Sequence, residues 1–236
     1  MAKILCIETS TEVCSVAIAE NGKVCDLRED QSGMNHSRLL TVFIDELLKA
    51  NKLSMINFDA VAVSRGPGSY TGLRIGVSAA KGLCYGAGIP LITICPLKAM
   101  ASAFVQNATK QNIKLHQTDQ LVPMIDARRM EVYLSIYSVN MENIADVEAV
   151  IVDENTFADS LSERNLFFFG NGSEKCKAII QSDNAIFVEN IIASAGNMAT
   201  LAEECFQKKE FADVAYFEPF YLKDFIATVP RKNILH

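Results

Sequence analysis

A hairpin signal near the start of the chain most constrains its fold. The stretches Val13 to Glu20 and Lys23 to Glu29 have strand-like patterns, and Asn21-Gly22 between them is the strongest short signal for a two-residue turn. Ile4 to Glu8 precedes them as another apolar strand. The sequence therefore predicts a three-stranded antiparallel meander at this end of the chain.

Helical and strand patterns alternate after the meander. His36 to Asn51 has apolar residues at helical spacing, and helices are also predicted from about Tyr70 to Gly86 and from Pro96 to about Asn107. Asp59 to Ser64 and Pro90 to Ile94 are short apolar runs typical of buried strands. This order is that of a ribonuclease-H-like unit, in which parallel strands joined through helices extend an antiparallel sheet.

The second half repeats this logic in degraded form. A polar stretch, Asn107 to Gln120, predicts a linker or a long loop between the halves. We expect an α/β fold of two related lobes facing each other across a cleft, divided into residues 1–108 and 109–236, with the late helix or tail able to pack back on the first lobe. The predicted later elements are strands at 121–126, 129–138, 147–152 and 166–169, a helix capped by Asp153, a helix after the turn Gly170 to Ser173, and an amphipathic helix from Ala193 to Gln207.

Composition limits the class of protein. Half of the 236 residues are hydrophobic, which excludes a disordered or fibrous chain. The 22 basic and 28 acidic residues give a net charge of −6, so any role with nucleic acid must be indirect or local. No signal peptide or long apolar run is recognisable, and the seven cysteines form no CxxC pair. We expect a cytoplasmic protein with reduced thiols and no membrane association.

The histidines argue against two kinds of catalytic site. His36, His116 and His236 are too far apart for the paired spacing of a zinc site on one helix. No GxSxG elbow is present for a serine nucleophile. His36 is interpreted as a polar residue in the first turn of its helix rather than as a base.

Two carboxylates stand at strand ends. Glu8 ends the first strand and Asp126 ends the first strand of the second half, so a two-lobed fold would direct both into the cleft, where magnesium and phosphate are commonly held. A second interpretation is structural. Glu8 can bond the turn that begins at Thr9 and Ser10, and Asp126 can pair with a nearby arginine.

A glycine-rich loop joins a strand to a helix. Gly66, Gly68 and Ser69 lie at a helix start, where backbone N–H groups and the helix dipole can bind an anion. The spacing matches neither the GxxxxGK[ST] nor the GxGxxG phosphate motif. A tight turn that needs glycine conformations explains the loop equally well.

Two helices are more apolar than one sheet requires. Leu39 and Val42 widen the apolar side of the helix that begins at His36. Gly72, Gly76 and Ala80 in the next helix form a flat groove of small residues, open to close helix approach, while Arg74, Ser78 and Lys81 share a narrow polar strip. Either a protein partner or the second lobe must cover these helices.

Four stretches resemble the TsaB (YeaZ) family, a small subunit of the bacterial machinery that makes threonylcarbamoyladenosine at position 37 of tRNA. They are Ile4 to Ser10 with Cys14 to Ala17, His36 to Leu40, Arg65 to Gly76, and Asp126 to Tyr133.

The resemblance implies an actin-like (ASKHA) fold of two ribonuclease-H-like lobes and a non-catalytic role beside TsaD, a paralogue that holds metal and nucleotide. TsaD-like proteins carry an HxxxH metal pair, which this chain lacks. Family members often have Asp where this chain has Glu8, which weakens a magnesium role. ATP or ADP with magnesium at the partner interface is left open. The residues assigned to nucleotide or anion binding are Glu8, Thr9, Ser10, Gly66, Gly68, Ser69 and Asp126.

The resemblance also implies partners. TsaB-like proteins pack two first-lobe helices against equivalent helices of TsaD, and when alone they form homodimers through the same surface. TsaE is expected as an ATPase partner, with TsaC and tRNA as indirect ones. The residues assigned to the interface are Leu39, Val42, Phe43, Gly72, Ile75, Gly76, Ala79, Ala80 and Leu83.

Three functions remain from the sequence: a scaffold or activator, an actin-like ATPase or phosphotransferase, and a peptidase. Absent catalytic motifs and surplus apolar helix surface favour the scaffold. The basic pairs Arg128-Arg129, Lys208-Lys209 and Arg231-Lys232 are expected on solvated surface. The segment from Glu218 to Leu222 is expected to dock as an extended arm on either lobe.

Overall fold

The computed structural model describes residues 2–33 and 35–223. His236 and the pair Arg231-Lys232 lie outside the described residues. The ten strands are β1 Lys3–Glu8, β2 Cys14–Glu20, β3 Lys23–Asp30, β4 Ala60–Ser64, β5 Leu91–Ile94, β6 Gln120–Asp126, β7 Glu131–Ser138, β8 Asn143–Ile151, β9 Leu166–Phe169 and β10 Ala185–Phe187. The five α-helices are α1 His36–Ala50, α2 Tyr70–Ala87, α3 Pro96–Ala108, α4 Ala158–Glu163 and α5 Ala199–Lys208.

Two five-stranded sheets have the same topology. The first has the order β3-β2-β1-β4-β5, and the second, taken from its antiparallel edge, has the order β8-β7-β6-β9-β10. In each sheet the first three strands pair antiparallel and the last two add in parallel. The repeat predicted from the sequence is therefore confirmed, and the chain has an actin-like fold of two ribonuclease-H-like lobes.

Local sequence explains the elements of the first lobe. Asn21 and Gly22 have positive φ angles of 54° and 73°, the conformation that a two-residue hairpin turn requires. Ser69 caps α2 by accepting the N–H of Gly72 at 3.2 Å, and Gly88 ends it in the left-handed conformation. Pro96 starts α3, where its missing N–H is not needed.

The second lobe differs from the predictions at several points. Asp153 does not cap a helix; it binds Thr156 in a turn, and α4 begins only at Ala158. The turn at Gly170 leads into a single 3₁₀ turn, Glu174–Cys176, and not into a full helix. The predicted last helix begins at Ala199, after a 3₁₀ turn at Ala195–Met198, and β10 was not predicted.

Helix α5 crosses back to the first lobe. Its residues Leu201 and Ala202 are buried in one cluster with Ile4 of β1 and Ile92 of β5. Helix α3 contributes Phe104 to a cluster with Phe167 and Phe169 of β9, at ring-centroid distances of 5.6 Å and 4.9 Å. The first sheet therefore ends with β5 and the second begins with β6 along the chain. Helix α3 packs on the second sheet and helix α5 on the first, so each helix contacts the lobe that the other half of the chain forms.

The polar strip of α2 binds the tail that follows α5. The Lys81 ammonium donates to the carbonyl oxygens of Ala215 and Phe217 at 3.0 Å and 3.1 Å. The Arg74 Nε donates to the Tyr221 hydroxyl at 3.2 Å. The tail then reaches the second lobe, where Lys223 pairs with Glu131. The predicted arm from Glu218 to Leu222 therefore docks on the first lobe, through Phe220 and Tyr221, and the residue after it contacts the second lobe.

None of the helices within the described ranges is long and apolar enough to cross a lipid bilayer.

Candidate functional site

Glu8 is enclosed at the end of β1. Glu8 is only 1% exposed, and its Oε1 accepts the backbone N–H of Ser10 at 2.6 Å. Its Oε2 and the Thr9 hydroxyl are buried without a hydrogen-bond partner. The carboxylate therefore stabilises its own turn, as the structural interpretation of the sequence proposed.

Burial raises the pKa of the Glu8 carboxyl above its usual value, because desolvation disfavours the charged form. Hydrogen bonds from Ser10 offset part of this rise in pKa. His36, at the start of α1, is only 3% exposed. Desolvation by burial lowers the pKa of its imidazole, because the charged form is disfavoured. Its Nε2 is buried without a partner.

The glycine-rich loop is closed by the turn that follows β1. A Cβ atom at Gly68 would lie 2.2 Å from the Ser10 carbonyl oxygen, so only glycine allows this approach. The Ser69 N–H donates to that same oxygen at 2.6 Å. Since the Gly72 N–H is used by the Ser69 cap, these donors are satisfied inside the chain. This arrangement favours the tight turn over the anion site.

Asp126 lies on the second lobe and is partly exposed. Its carboxylate pairs with Lys175 and accepts the Arg128 N–H at 2.9 Å. Its own N–H donates to Asn171, whose amide nitrogen donates to Glu12 at 2.6 Å. Glu12, and not Glu8, therefore connects the first lobe to the Asp126 strand end. Neither Glu12 nor Asn171 was predicted, because Asn171 lies in a stretch that only indicated a turn.

These residues do not fit a magnesium-bound nucleotide. The Glu8 carboxylate is covered by protein, and the Asp126 carboxylate is neutralised by Lys175. Across residues 2–33 and 35–223, no cluster of three or more His, Cys, Asp or Glu side chains could hold a metal ion.

The predicted interface residues divide into two sets. Gly72, Gly76 and Ala80 face inward: Cβ atoms at the two glycines would lie 2.2 Å from the backbone oxygen and the hydroxyl of Thr9, and Ala80 is fully buried. The predicted groove is therefore filled by this chain's own turn, and placing it on a partner surface was wrong. The second set is partly exposed and comprises Leu39, Val42, Phe43, Ile75, Ala79 and Leu83.

Two glycines on α2 test this inward orientation. Gly72→Ala should lower the free energy of unfolding by about 1–3 kcal/mol, because its methyl group would overlap the Thr9 backbone. Gly82→Ala is the matched control: nothing lies within 4 Å of the new Cβ, so helix propensity should raise stability by about 0.5–1 kcal/mol. Urea unfolding of both variants measures the difference. Equal gains would show that Gly72 faces outward.

Replacing the buried carboxyl tests its protonation. Because the pKa of Glu8 is raised in the folded state, the carboxyl of the unfolded chain ionises first as the pH rises. The free energy of unfolding of the wild type therefore falls as the pH rises from the ordinary glutamate pKa of 4.5 toward the pKa of the folded state. Glu8→Gln keeps the acceptor for Ser10 and removes the ionisable group, so it should raise the free energy of unfolding at pH 7. The gain should vanish below the ordinary value. A gain that is the same at acidic and neutral pH would contradict the burial of an ionisable group here.

Comparison with known proteins agrees with this fold. A family model described as "TsaD: tRNA N6-adenosine threonylcarbamoyltransferase" matches residues 30–231. Among solved structures, YeaZ from Pseudomonas aeruginosa superposes with a TM-score of 0.79 at 24% identity, covering 94% of this chain and all of that one.

Curated relatives cover nearly the whole chain. The tRNA threonylcarbamoyladenosine biosynthesis protein TsaB of Haemophilus influenzae is 31% identical, over 94% of this chain and 93% of the relative. The TsaB proteins of Escherichia coli and Bacillus subtilis are 29% and 28% identical, over 95% and 93% of this chain and 96% and 93% of the relatives. With the family model and the two-lobed fold, this similarity shows that the chain belongs to the TsaB (YeaZ) family.

Proposed function

We propose that this chain is a non-catalytic subunit in the synthesis of threonylcarbamoyladenosine at position 37 of tRNA. Its role is to bind and activate a TsaD-type paralogue that transfers the threonylcarbamoyl group. The observation that carries this proposal is an apolar surface on α1 and α2 that the chain's own described residues leave partly uncovered. The names of the curated relatives supply the pathway.

The apolar surface follows the outer side of the two helices. We call it the helix face and define it as Leu39, Val42, Phe43, Ile75, Ala79 and Leu83. Five of the six pack against the core below while remaining partly exposed, and Val42 is 44% exposed. Contiguous exposed apolar surface of this kind marks interaction sites in soluble proteins.

A shallow pocket extends the helix face at one end. Its volume is about 430 Å³ and its lining includes Leu83, Gly82 and Met55. Ile56, also in the lining, is 84% exposed. A pocket with an exposed apolar side chain beside it can bind a side chain of a partner protein.

The helix face has the properties that a related helix pair requires. The exposed α2 residues next to it include Gly82 and Ser78, which allow another helix to approach closely. The match of this chain to a model that carries the TsaD description supports a paralogous partner with similar helices. A second copy of this chain is the competing occupant when TsaD is absent.

The remaining assignments follow from this role. A TsaE-type ATPase would act on the assembled complex, and a TsaC-type enzyme would supply the threonylcarbamoyl-adenylate. The enclosed Glu8 supports a subunit that leaves the chemistry to its partner, and no specific observation favours an ATPase of its own. Nucleotide with magnesium at the partner interface remains an expectation from the family resemblance.

A charge on the helix face should block the partner. Val42→Asp places a carboxylate on the most exposed residue of the helix face. Desolvating this charge in the complex should weaken binding to a TsaD-type protein at least tenfold, or about 1.4 kcal/mol. Because Val42 is half exposed, the fold should persist. Calorimetric titration of the partner into each variant measures the affinity.

Ile151→Asp is the matched control. Ile151 is 71% exposed on β8 of the second lobe, so the variant adds the same charge to another apolar side chain. It should bind the partner as the wild type does. Equal weakening by both variants, or by neither, would contradict the helix face as the interface, and gel filtration of the isolated variants shows whether homodimers use the same surface.

A further inference from the structure

Basic side chains are concentrated where the two lobes meet. They come from α2, from the β6–β7 turn, from the 3₁₀ turn after β9 and from the tail. We call them the basic stripe and define it as Arg74, Arg128, Arg129, Lys175 and Lys223. The helix face does not include any of them.

The first part of the basic stripe is held in place by aromatic rings. The Arg74 guanidinium lies 4.2 Å from the centroid of the Tyr70 ring, and its Nε donates to the Tyr221 hydroxyl. The Tyr70 and Tyr221 rings are 4.9 Å apart. Arg74 is exposed and forms no salt bridge with a described carboxylate, so its terminal N–H groups remain available to an anion.

The tail connects Arg74 to the second lobe. Lys223 lies two residues after Tyr221, about 7 Å along an extended chain. It pairs with Glu131 and lies 5.9 Å from the centroid of the Tyr133 ring. The Glu131 N–H in turn donates to the Arg128 carbonyl at 3.2 Å. The members of the stripe are therefore neighbours in space, although they are distant in sequence.

The β6–β7 turn presents two arginines at an energetic cost. Arg128 and Arg129 have φ angles of 73° and 52°, in a region that costs most L-residues about 1–2 kcal/mol each. Both are exposed, and neither forms a salt bridge with a described residue. The backbone of the turn is held by the bonds of Arg128 to Asp126 and Glu131, while the two arginine side chains form no salt bridge and are available to bind an anion.

Three of the five cations of the stripe, Arg74, Arg128 and Arg129, form no salt bridge with a described carboxylate. Two of the nearby carboxylates, Asp126 and Glu131, are already paired with Lys175 and Lys223. Glu218 is close enough to Arg74 to interact electrostatically, and Glu12 reaches the Asp126 strand end through Asn171. The stripe therefore brings together three cations without a salt bridge, in a chain of net charge −6.

We propose that the basic stripe binds phosphate groups of a single-stranded RNA segment. Cations interleaved with tyrosine rings are the usual surface for such a segment, since the cations follow the backbone and the rings lie near the bases. The choice of RNA over an acidic protein rests on the proposed function, in which the substrate is a tRNA. The stripe would hold RNA while the helix face holds the catalytic partner.

Charge removal at the turn tests the proposal. Arg128→Gln with Arg129→Gln should weaken binding of a labelled RNA hairpin with a single-stranded loop about tenfold at roughly 50 mM salt. The slope of log affinity against log salt should fall by about 1.4, that is, about 0.7 for each lost phosphate contact. Fluorescence anisotropy on the full chain, alone and in its complex with the TsaD-type partner, measures both quantities.

A second basic pair provides the control. Lys208→Gln with Lys209→Gln removes the same charge from exposed positions at the end of α5 and should change RNA affinity less than twofold. An equal loss in the control, or no loss in the arginine variant, would overturn the proposal. The proposal would also be overturned if the arginine variant bound RNA as the wild type does but no longer bound an acidic protein.

Partner binding separates this inference from the proposed function. The arginine variant should keep its affinity for the TsaD-type protein, because the basic stripe lies outside the helix face. If the wild type fails to bind that protein, the proposed function fails, whereas the anisotropy of the chain alone still decides the RNA proposal.

Discussion

The rest of the structure depends on the close packing of the turn after β1 against α2. Three glycines, Gly68, Gly72 and Gly76, allow Thr9 and Ser10 to contact the helix and the loop before it at distances that any Cβ atom would prevent. Ser10 also donates its N–H to the Glu8 carboxylate, and its carbonyl oxygen accepts the Ser69 N–H just before α2. This packing also sets the rotation of the helix about its axis, so that Ile75 and Ala79 pack against the border of the core and remain partly exposed.

Helix α2 thereby acquires three sides with separate tasks. Its glycine side packs on the chain's own turn, its polar strip binds the tail through Arg74 and Lys81, and its remaining apolar side joins α1 in the helix face. The tail covers one border of the helix and continues to the second lobe at Glu131. A helix that is apolar on more than one side is thus explained by a combination of internal contacts and a surface suited to a partner.

The sequence predicts the order of elements well, because that order is encoded locally. The Asn21-Gly22 turn, the apolar spacing of α1 and the proline at the start of α3 each depend on nearby residues alone. The orientation of the small residues of α2 could not be predicted in the same way. Helical periodicity shows that Gly72, Gly76 and Ala80 share a side, but whether Thr9 or a partner meets that side depends on tertiary contacts.

The same limit applies to the candidate site. Glu8 was recognised at a strand end, yet the turn that its carboxylate bonds is packed against Gly68 and Gly72, about 60 residues later in the sequence. Glu12 connects the lobes through Asn171, a pairing that spans 159 residues and has no local pattern. The weaker elements of the second lobe, such as β10 and the single turn at Glu174–Cys176, are too short to show a periodic signal.

Hydrogen–deuterium exchange of the full chain, with and without a TsaD-type partner, tests the central claim most directly. Amides on the outer side of α1 and α2, and those around Ile56 at the pocket, should gain protection in the complex. The sheet edge at β8, around Ile144 and Ile151, should exchange at the same rate in both states. Protection confined to the second lobe, with no change in α1 and α2, would contradict the helix face as the surface on which this subunit acts.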